Sequence, residues 1–276
     1  MTFAAVDPHA VSAETIASTL TAARRSARSL AGFPGQVPTS LAQAYAVQEA
    51  AIGLWPDRVA GWKVGRVPDP LQAQLGSDRV SGPIFESRVW KAPSGQVVDF
   101  PVFAGGFAAV EAEFVIRVGA DADPDKTTYS EDEVRALAGS VLLGVETAGS
   151  PMASINEIGP LAVASDFGNN AGLILGADIG PWRDDIADIA IEVAIDGAVV
   201  GRATAASIPG GPLASLKFTA EHCARRGRPL RAGQLVSTGA ATGVHDISIG
   251  QSARLTFGGA GEILCRAIPA RAEQGT

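Results

Sequence analysis

The chain has 276 residues, of which 46% are apolar, and its 32 glycines and 17 prolines favour turns and short strands over long helices. A formal net charge of −7 argues against nucleic acid or an anionic membrane surface as a partner. No apolar run reaches the about 18 residues that cross a bilayer, and the N-terminus lacks the compact apolar region of a secretory signal.

The first part of the chain is predicted to be helical. Ser12 and Glu14, followed by an Ala-rich run, predict a surface helix over about 12–30. Ser40 is a favourable N-cap for a second helix over about 40–54, in which apolar residues recur at helical spacing. Two helices therefore precede the rest of the chain.

The pattern then changes from helical to strand-like. Residues 59–65 (VAGWKVG) predict a strand, and residues 66–82, rich in Pro, Asp and Ser, predict a loop. We therefore expect a helical N-terminal region over 1–57 and a β-rich body over 58–276.

In the C-terminal half, short apolar runs alternate with Gly and Pro. Within residues 191–200, the pair Asp196-Gly197 predicts a tight hairpin turn, because both turn positions need positive φ. Residues 212–226 predict a helix that ends at Gly227. Three further strands are predicted at 234–238, 252–257 and 261–267.

Three glutamates lie on predicted strands. In residues 110–117 (VEAEFVIR) the apolar residues alternate, so Glu111 and Glu113 share the opposite face. Same-face neighbours are about 6.5–7 Å apart along a strand, and two carboxylates that close repel unless a cation or proton lies between them. Glu146 ends a second apolar run, where an unpaired buried charge would be costly.

These carboxylates are a candidate site for a hard divalent metal, Mg²⁺ or Mn²⁺. The alternative is that Glu-x-Glu is only the solvated face of a strand, which is a common arrangement. The spacing alone does not choose between the two interpretations.

Other chemistries lack their signatures. Cys223 and Cys265 have neither paired nor metal-ligand spacing, which predicts buried, reduced thiols in a cytoplasmic protein. His9, His222 and His245 form no zinc-ligand spacing. The chain also contains no P-loop, nucleophile elbow or dinucleotide fingerprint, so carboxylate-bound metal chemistry is favoured by elimination.

Five segments resemble, in order, the motifs of a known family. They are residues 61–65 (GWKVG), 110–113 (VEAE), 145–146 (VE), 166–176 (DFGNNAGLILG) and 229–239 (PLRAGQLVSTG). Over roughly residues 40–268 the chain resembles the fumarylacetoacetate hydrolase superfamily. Within it, the greatest similarity is to the branch of 2-keto-4-pentenoate hydratases and 4-oxalocrotonate decarboxylases.

The resemblance implies an α+β fold, a β-rich roll of mixed, highly curved sheets with a small helical N-terminal region. It implies Mg²⁺ or Mn²⁺ held by Glu111, Glu113 and Glu146. It also implies small 2-oxo or 2-hydroxy-dienoic acids from aromatic-ring degradation as substrates, and a homo-oligomer.

Two positions depart from the family pattern. The family's Asp-Asn pair is Asp-Phe here, with Phe167 in the second place. The hydratases usually carry a Pro-Asp-Phe-Gly loop, and here Ser81 stands where its acidic residue is expected to handle a proton or water. Asp78 and Glu86 are nearby alternatives for that role.

The remaining candidate residues each have a functional and a structural interpretation. Lys63 binds the substrate carboxylate or donates a proton, or is a surface residue on an edge strand. Asp166 is an acid beside the site, or caps a turn. Arg66 binds a distal carboxylate, or lies in a solvated loop. Thr238 and Gly239 offer hydroxyl and N–H groups to the substrate, or form a plain turn.

Three functions remain open from the sequence. The first is a hydratase or decarboxylase of 2-oxo-enoic acids, since both reactions pass through an enolate that a metal stabilises. The second is a hydrolase that cleaves the C–C bond of an acylpyruvate, although the N-terminal region offers no obvious His/Glu pair. The third is a non-catalytic partner subunit, which the changes at Ser81 and Phe167 favour and the three glutamates oppose.

Overall fold

The computed structural model describes residues 11–273, so His9 lies outside the described residues. Within that range the α-helices are α1 (Ala13–Arg25), α2 (Leu41–Leu54), α3 (Asp69–Leu75), α4 (Glu131–Leu137), α5 (Ile155–Ile158), α6 (Pro160–Ser165) and α7 (Gly211–Arg225). The strands there are β1 (Val59–Arg66), β2 (Arg79–Phe85), β3 (Val89–Lys91), β4 (Val97–Val102), β5 (Phe107–Val118), β6 (Ala138–Ser150), β7 (Asn170–Pro181), β8 (Ala190–Ile195), β9 (Ala198–Thr204), β10 (Leu235–Ser237), β11 (His245–Asp246), β12 (Ser252–Phe257) and β13 (Gly261–Pro269).

The first predicted helix is shorter and less exposed than expected. Helix α1 begins after Ser12, whose side chain accepts a hydrogen bond from the N–H of Thr15, and it ends at Arg25 rather than near residue 30. The chain leaves the helix at Ala27, where φ is +51°. The description of α1 as a surface helix is wrong for its last turn, because Arg24 is buried.

The loop predicted over residues 66–82 is also corrected. Helix α3 forms inside it, with Pro70 in the first turn, where a missing N–H costs nothing, and Gly76 at φ +66° as its C-cap. Strand β2 then pairs antiparallel with β1 despite Pro83, which is tolerated because β2 lies at the edge of its sheet.

The strands of the described residues form two mixed sheets. The first has the order β2-β1-β10-β5-β6-β7-β3, with β11 also paired to β5, and the second has the order β4-β13-β12-β8-β9. The pairs β1/β10, β3/β7 and β4/β13 are parallel and the others are antiparallel. The Asp196-Gly197 hairpin prediction is confirmed, with φ angles of +49° and +83°.

The first sheet lies between the second sheet and the longer helices. Phe114 and Leu143 of the first sheet share a buried core with Leu255 and Phe257 of the second. On the helical side, a separate core joins α1, α2 and α7 to β1 through residues such as Ile16, Val47, Trp62 and Leu216. The division at residues 57 and 58 stays a prediction, and within residues 11–273 no helix is both long and apolar enough to cross a membrane.

Candidate metal centre

Strands β5 and β6 bring the three glutamates together. The two strands are antiparallel, and their register places Glu111 directly opposite Glu146, so both side chains leave the same face of the sheet. Glu113 follows two residues along β5, on that same face. One carboxylate oxygen from each lies within 4.8 Å of the others, and all three residues are buried.

In both Glu113 and Glu146, one carboxylate oxygen accepts hydrogen bonds from the protein and the other has no hydrogen-bond partner. Oε2 of Glu113 accepts hydrogen bonds from the Ser237 hydroxyl at 2.5 Å and from the Gly239 N–H at 2.9 Å. Oε1 of Glu146 accepts one from the Asn170 amide at 3.0 Å. Oε1 of Glu113 and Oε2 of Glu146 are buried without a hydrogen bond. Such orphaned oxygens are what a hard divalent cation would bind, so these residues fit Mg²⁺ or Mn²⁺.

Burial and crowding raise the proton affinity of the carboxylates. Burial, reinforced by the charge of Glu146, raises the pKa of Glu111 to about 8, although Lys63 partly opposes the shift. Burial and the two neighbouring carboxylates raise the pKa of Glu113 well above its ordinary value. Without a metal, Glu111 therefore retains a proton near neutral pH.

Lys63 is buried on β1, which pairs with a strand on each side, so the edge-strand surface interpretation is wrong. Its register partners are Ser237 on β10 and Gly82 on β2. Its Nζ lies 3.2 Å from Oε1 of Glu146. Burial alone would lower the pKa of Lys63, but the three glutamates outweigh burial and raise it. The side chain is therefore expected to keep its positive charge. One ammonium and one divalent ion would together neutralise the three negative charges of the carboxylates.

A cavity of about 740 Å³ opens onto Lys63 and Glu111. Arg66, Thr238 and Gly239 also line it. The exposed Arg66 guanidinium pairs with Asp69 at 2.6 Å. The hydroxyl of Thr238 donates to the Phe114 carbonyl, and the Gly239 N–H donates to Glu113. All three therefore lie on the wall of this cavity, and the Thr238 hydroxyl and the Gly239 N–H already donate hydrogen bonds to the protein.

Ser81 does not reach this cavity. Its hydroxyl donates to the Lys63 carbonyl, its N–H donates to the Tyr45 hydroxyl, and its carbonyl accepts from Gln48. Of the two nearby alternatives, Asp78 lines the cavity beside Arg79. Glu86 instead pairs with Arg58 at an exposed position. Ser81 therefore anchors β2 to β1 and α2 rather than presenting a free hydroxyl.

Asp166 is likewise held away from the cavity wall. Its Oδ1 lies 2.5 Å from Nε of Arg24, and its Oδ2 accepts a hydrogen bond from the Ser150 hydroxyl at 2.6 Å. The Arg24 guanidinium also donates to the carbonyls of Gly149, Asp166 and Asn170. Asp166 therefore fixes the chain just ahead of Asn170, which in turn contacts Glu146.

Sequence reasoning missed Ser237, Asn170, Asn169 and Arg24. Ser237 and Asn170 orient Glu113 and Glu146, and Asn169 lines the cavity. The first three lie inside the segments that resemble family motifs, so inspecting the polar residues of those motifs could have found them. Arg24 lies outside all five segments, and no local pattern marks it.

Relatives among characterised proteins were found by sequence. The 2-keto-4-pentenoate hydratase of Burkholderia vietnamiensis (strain G4 / LMG 22486) is 31% identical over 231 residues, covering 82% of this chain and 86% of the relative. The 2-keto-4-pentenoate hydratase 1 of Dechloromonas aromatica (strain RCB) is 28% identical over 261 residues, covering 92% of this chain and 96% of the relative. No family model matches the chain.

Solved structures with a similar fold were also found. One is the 4-oxalocrotonate decarboxylase from Pseudomonas putida G7 complexed with magnesium and adipate, with a TM-score of 0.76, 22% identity and coverage of 93% of this chain and 97% of that one. Another is the fumarylpyruvate hydrolase from Pseudomonas aeruginosa in complex with Mn²⁺ and pyruvate, with a TM-score of 0.55, 19% identity and coverage of 78% and 91%. The predicted α+β roll of mixed, curved sheets is confirmed.

Proposed function

Because the chain belongs to the fumarylacetoacetate hydrolase superfamily, in the branch of the 2-keto-4-pentenoate hydratases, we propose that it hydrates small 2-hydroxy-dienoic or 2-oxo-enoic acids. It is a divalent-metal-dependent lyase of the kind that serves aromatic compound degradation. The observation that carries the proposal is the convergence of Glu111, Glu113 and Glu146 within 4.8 Å beside a buried Lys63.

The three glutamates would hold Mg²⁺ or Mn²⁺, which supplies, when bound, a Lewis acid for the carboxylate and keto oxygens of a 2-oxo acid. Ser237 and Gly239 fix the orientation of Glu113, and Asn170 fixes that of Glu146. These contacts leave Oε1 of Glu113 and Oε2 of Glu146 available to the ion that the three glutamates would hold.

Lys63 binds the substrate carboxylate or donates a proton. The surrounding glutamates raise its pKa, so it is protonated at neutral pH and cannot act as the general base. Its position on the cavity wall, next to Glu146, supports a contact with the bound acid. Arg66 and Thr238 remain proposed substrate contacts, supported by their place on the same wall.

Location and assembly are further parts of the proposal. Two free, buried cysteines, Cys223 and Cys265, support a cytoplasmic protein. Exposed Val199 and Val200 on the edge strand β9 support a homo-oligomer.

The test is a substrate panel with added Mg²⁺ or Mn²⁺. We expect 2-hydroxypenta-2,4-dienoate to lose its ultraviolet absorbance as water adds, with no CO₂ released. Release of CO₂ from a 2-oxo-dicarboxylate would instead identify a decarboxylase, and a new carboxylic acid from an acylpyruvate would identify a C–C hydrolase. Metal binding without turnover of any compound would support the partner-subunit alternative.

A further inference from the structure

The segment between α6 and β7 has an unusual backbone. Phe167, Gly168 and Asn169 are consecutive and all have positive φ, of +55°, +65° and +63°. Only glycine adopts this left-handed region without a steric cost, and among the other residues asparagine tolerates it best. A bulky aromatic residue there is an outlier, so the surrounding structure must impose this conformation on the chain.

Tertiary contacts lock the segment in place. The Phe167 ring packs against Trp55 and Phe85, with ring centroids 5.5 and 5.0 Å apart, and the Arg24 guanidinium lies over it. The backbone of the segment presses against Gly82, where an added Cβ would come within 1.9 Å of the Phe167 carbonyl oxygen. The turn is therefore rigid, and it presents its last residue in one orientation.

The last residue of the turn is Asn169, which lines the cavity with Lys63 and Glu111. Asn169 is only 5% exposed, and its side-chain oxygen Oδ1 is buried without a hydrogen-bond partner. Its Nδ2 is directed to the Asn156 oxygen at 3.4 Å, and Asn156 lines the same cavity. Because a buried acceptor without a partner is costly, a rigid turn that holds one at a cavity wall indicates that a ligand supplies the donor.

The hydration reaction offers a donor of the right kind. The oxygen of water bonds to one carbon of a double bond, one of its protons ends on the neighbouring carbon, and no electrons are exchanged. An amide oxygen can accept a hydrogen bond from the water or from the resulting hydroxyl, but it does not take the proton. Ser81, which stands where an acidic residue was expected, is bound to the backbone and cannot serve here.

We propose that Asn169, oriented by Asn156, is a substrate-binding residue that accepts a hydrogen bond from the adding water and then from the new hydroxyl group. This inference rests on the proposed hydratase function. It assigns Asn169 to the hydroxylated end of the acid, whereas the three glutamates serve the end that binds metal.

The test compares the affinities of two acids for the Mg²⁺-loaded protein by calorimetry. They are 4-hydroxy-2-oxopentanoate and 2-oxopentanoate, which differ only in the hydroxyl group. We expect the wild-type protein to prefer the hydroxylated acid by on the order of tenfold, the usual effect of one hydrogen bond. Asn169→Gly keeps the left-handed backbone and removes the amide, so we expect the preference to fall to near one.

Three controls separate recognition from structural damage. Asn169→Gly should keep the Tm, the Mg²⁺ affinity and the affinity for 2-oxopentanoate. Asn169→Asp keeps an acceptor oxygen and should retain most of the preference. Gln72→Ala removes a polar group from the mouth of the same cavity and should leave the preference unchanged.

The outcomes distinguish this inference from the function on which it rests. Equal binding of both acids by the wild-type protein, or an undiminished preference in Asn169→Gly, would overturn the role of Asn169 and leave the hydratase proposal standing. If neither acid binds the Mg²⁺-loaded protein, the proposed function fails, and the inference fails with it. Equal binding of the two acids by the wild-type protein overturns the inference even if no variant folds.

Discussion

Nζ of Lys63 lies 3.2 Å from Oε1 of Glu146, although the two residues belong to strands β1 and β6, which are separated in the sheet by β10 and β5. The lysine side chain therefore reaches over the two strands between them, across the face that carries Glu111 and Glu113. The ammonium of Lys63 thus forms an ion pair with Glu146, one of the three carboxylates. Oε1 of Glu113 and Oε2 of Glu146 remain without a hydrogen-bond partner, as metal binding would require.

Replacing Lys63 by methionine should separate metal binding from turnover. The substitution keeps much of the buried volume and leaves all three carboxylates, so we expect the Mg²⁺ affinity to change by less than about tenfold. Loss of the buried ammonium should lower kcat/KM on the order of a hundredfold or more, as for the removal of a positioned proton donor. Calorimetry and steady-state kinetics measure the two effects, and full activity in Lys63→Met would refute the proposed role.

Replacing Glu113 by glutamine should weaken metal binding on the order of a hundredfold or more, because a neutral amide replaces one of three anionic ligands. The exposed Glu157→Gln is a matched control that removes the same charge away from the site and should bind normally. Unchanged Mg²⁺ affinity in Glu113→Gln would show that the ligand assignment is wrong.

Metal affinity should rise with pH. In the metal-free folded protein the pKa of Glu111 is raised to about 8, so this group carries a proton at neutral pH that a bound cation displaces. Affinity should therefore increase from pH 6 and level off above about pH 8. Titrations in two buffers of different ionisation enthalpy measure the protons released, and binding at pH 6.5 without proton release would contradict this expectation.

The raised pKa of Glu111 should also make the metal-free protein less stable as pH rises. The unfolded Glu111 loses its proton near its ordinary pKa of 4.5, whereas the folded one keeps it until about 8. Between these values the folded state binds more protons than the unfolded state, so the free energy of unfolding falls with pH. Thermal melts at pH 5.5 and 8 should show this fall without metal, and Mg²⁺ should raise the Tm more at pH 8.

Replacing Arg24 by methionine should destabilise the protein by about 3–5 kcal/mol, because it leaves Asp166 as a buried charge without its partner. The double variant Arg24→Met/Asp166→Asn removes both charges and should recover part of that loss. Urea unfolding measures both changes in the free energy of unfolding. If Arg24→Met costs less than about 1 kcal/mol, the pair does not anchor the segment before Asn170.

Two glycine-to-alanine substitutions should change the stability of the protein in opposite directions. Gly82→Ala places a methyl group against the Phe167 carbonyl, so it should displace the left-handed segment, lower the Tm and reduce binding at the cavity. Gly53→Ala lies in α2 with no atom within 4 Å of the added carbon, and it should stabilise the protein by about 0.5–1 kcal/mol. Equal melting temperatures for the two variants would contradict the close contact at Gly82.

The features that the sequence determined by itself are those set by neighbours along the chain. The alternation in β5 predicted which face carries Glu111 and Glu113, and the Asp196-Gly197 pair predicted the hairpin, which its positive φ angles confirm. These patterns depend on strand and turn geometry, which repeats over a few residues. The similarity to family motifs then added the partnership of Glu146 with the other two glutamates.

Groups that meet from distant parts of the chain could be located only in the folded protein. Arg24 and Asp166 are 142 residues apart, yet each satisfies the other's buried charge. Ser81 could be assigned to the backbone, and Asn169 to the cavity wall, only once β2, α2 and the left-handed turn were in place. A side chain's role depends on which partners saturate its hydrogen bonds and charge, and those partners are chosen by packing, which local spacing does not encode.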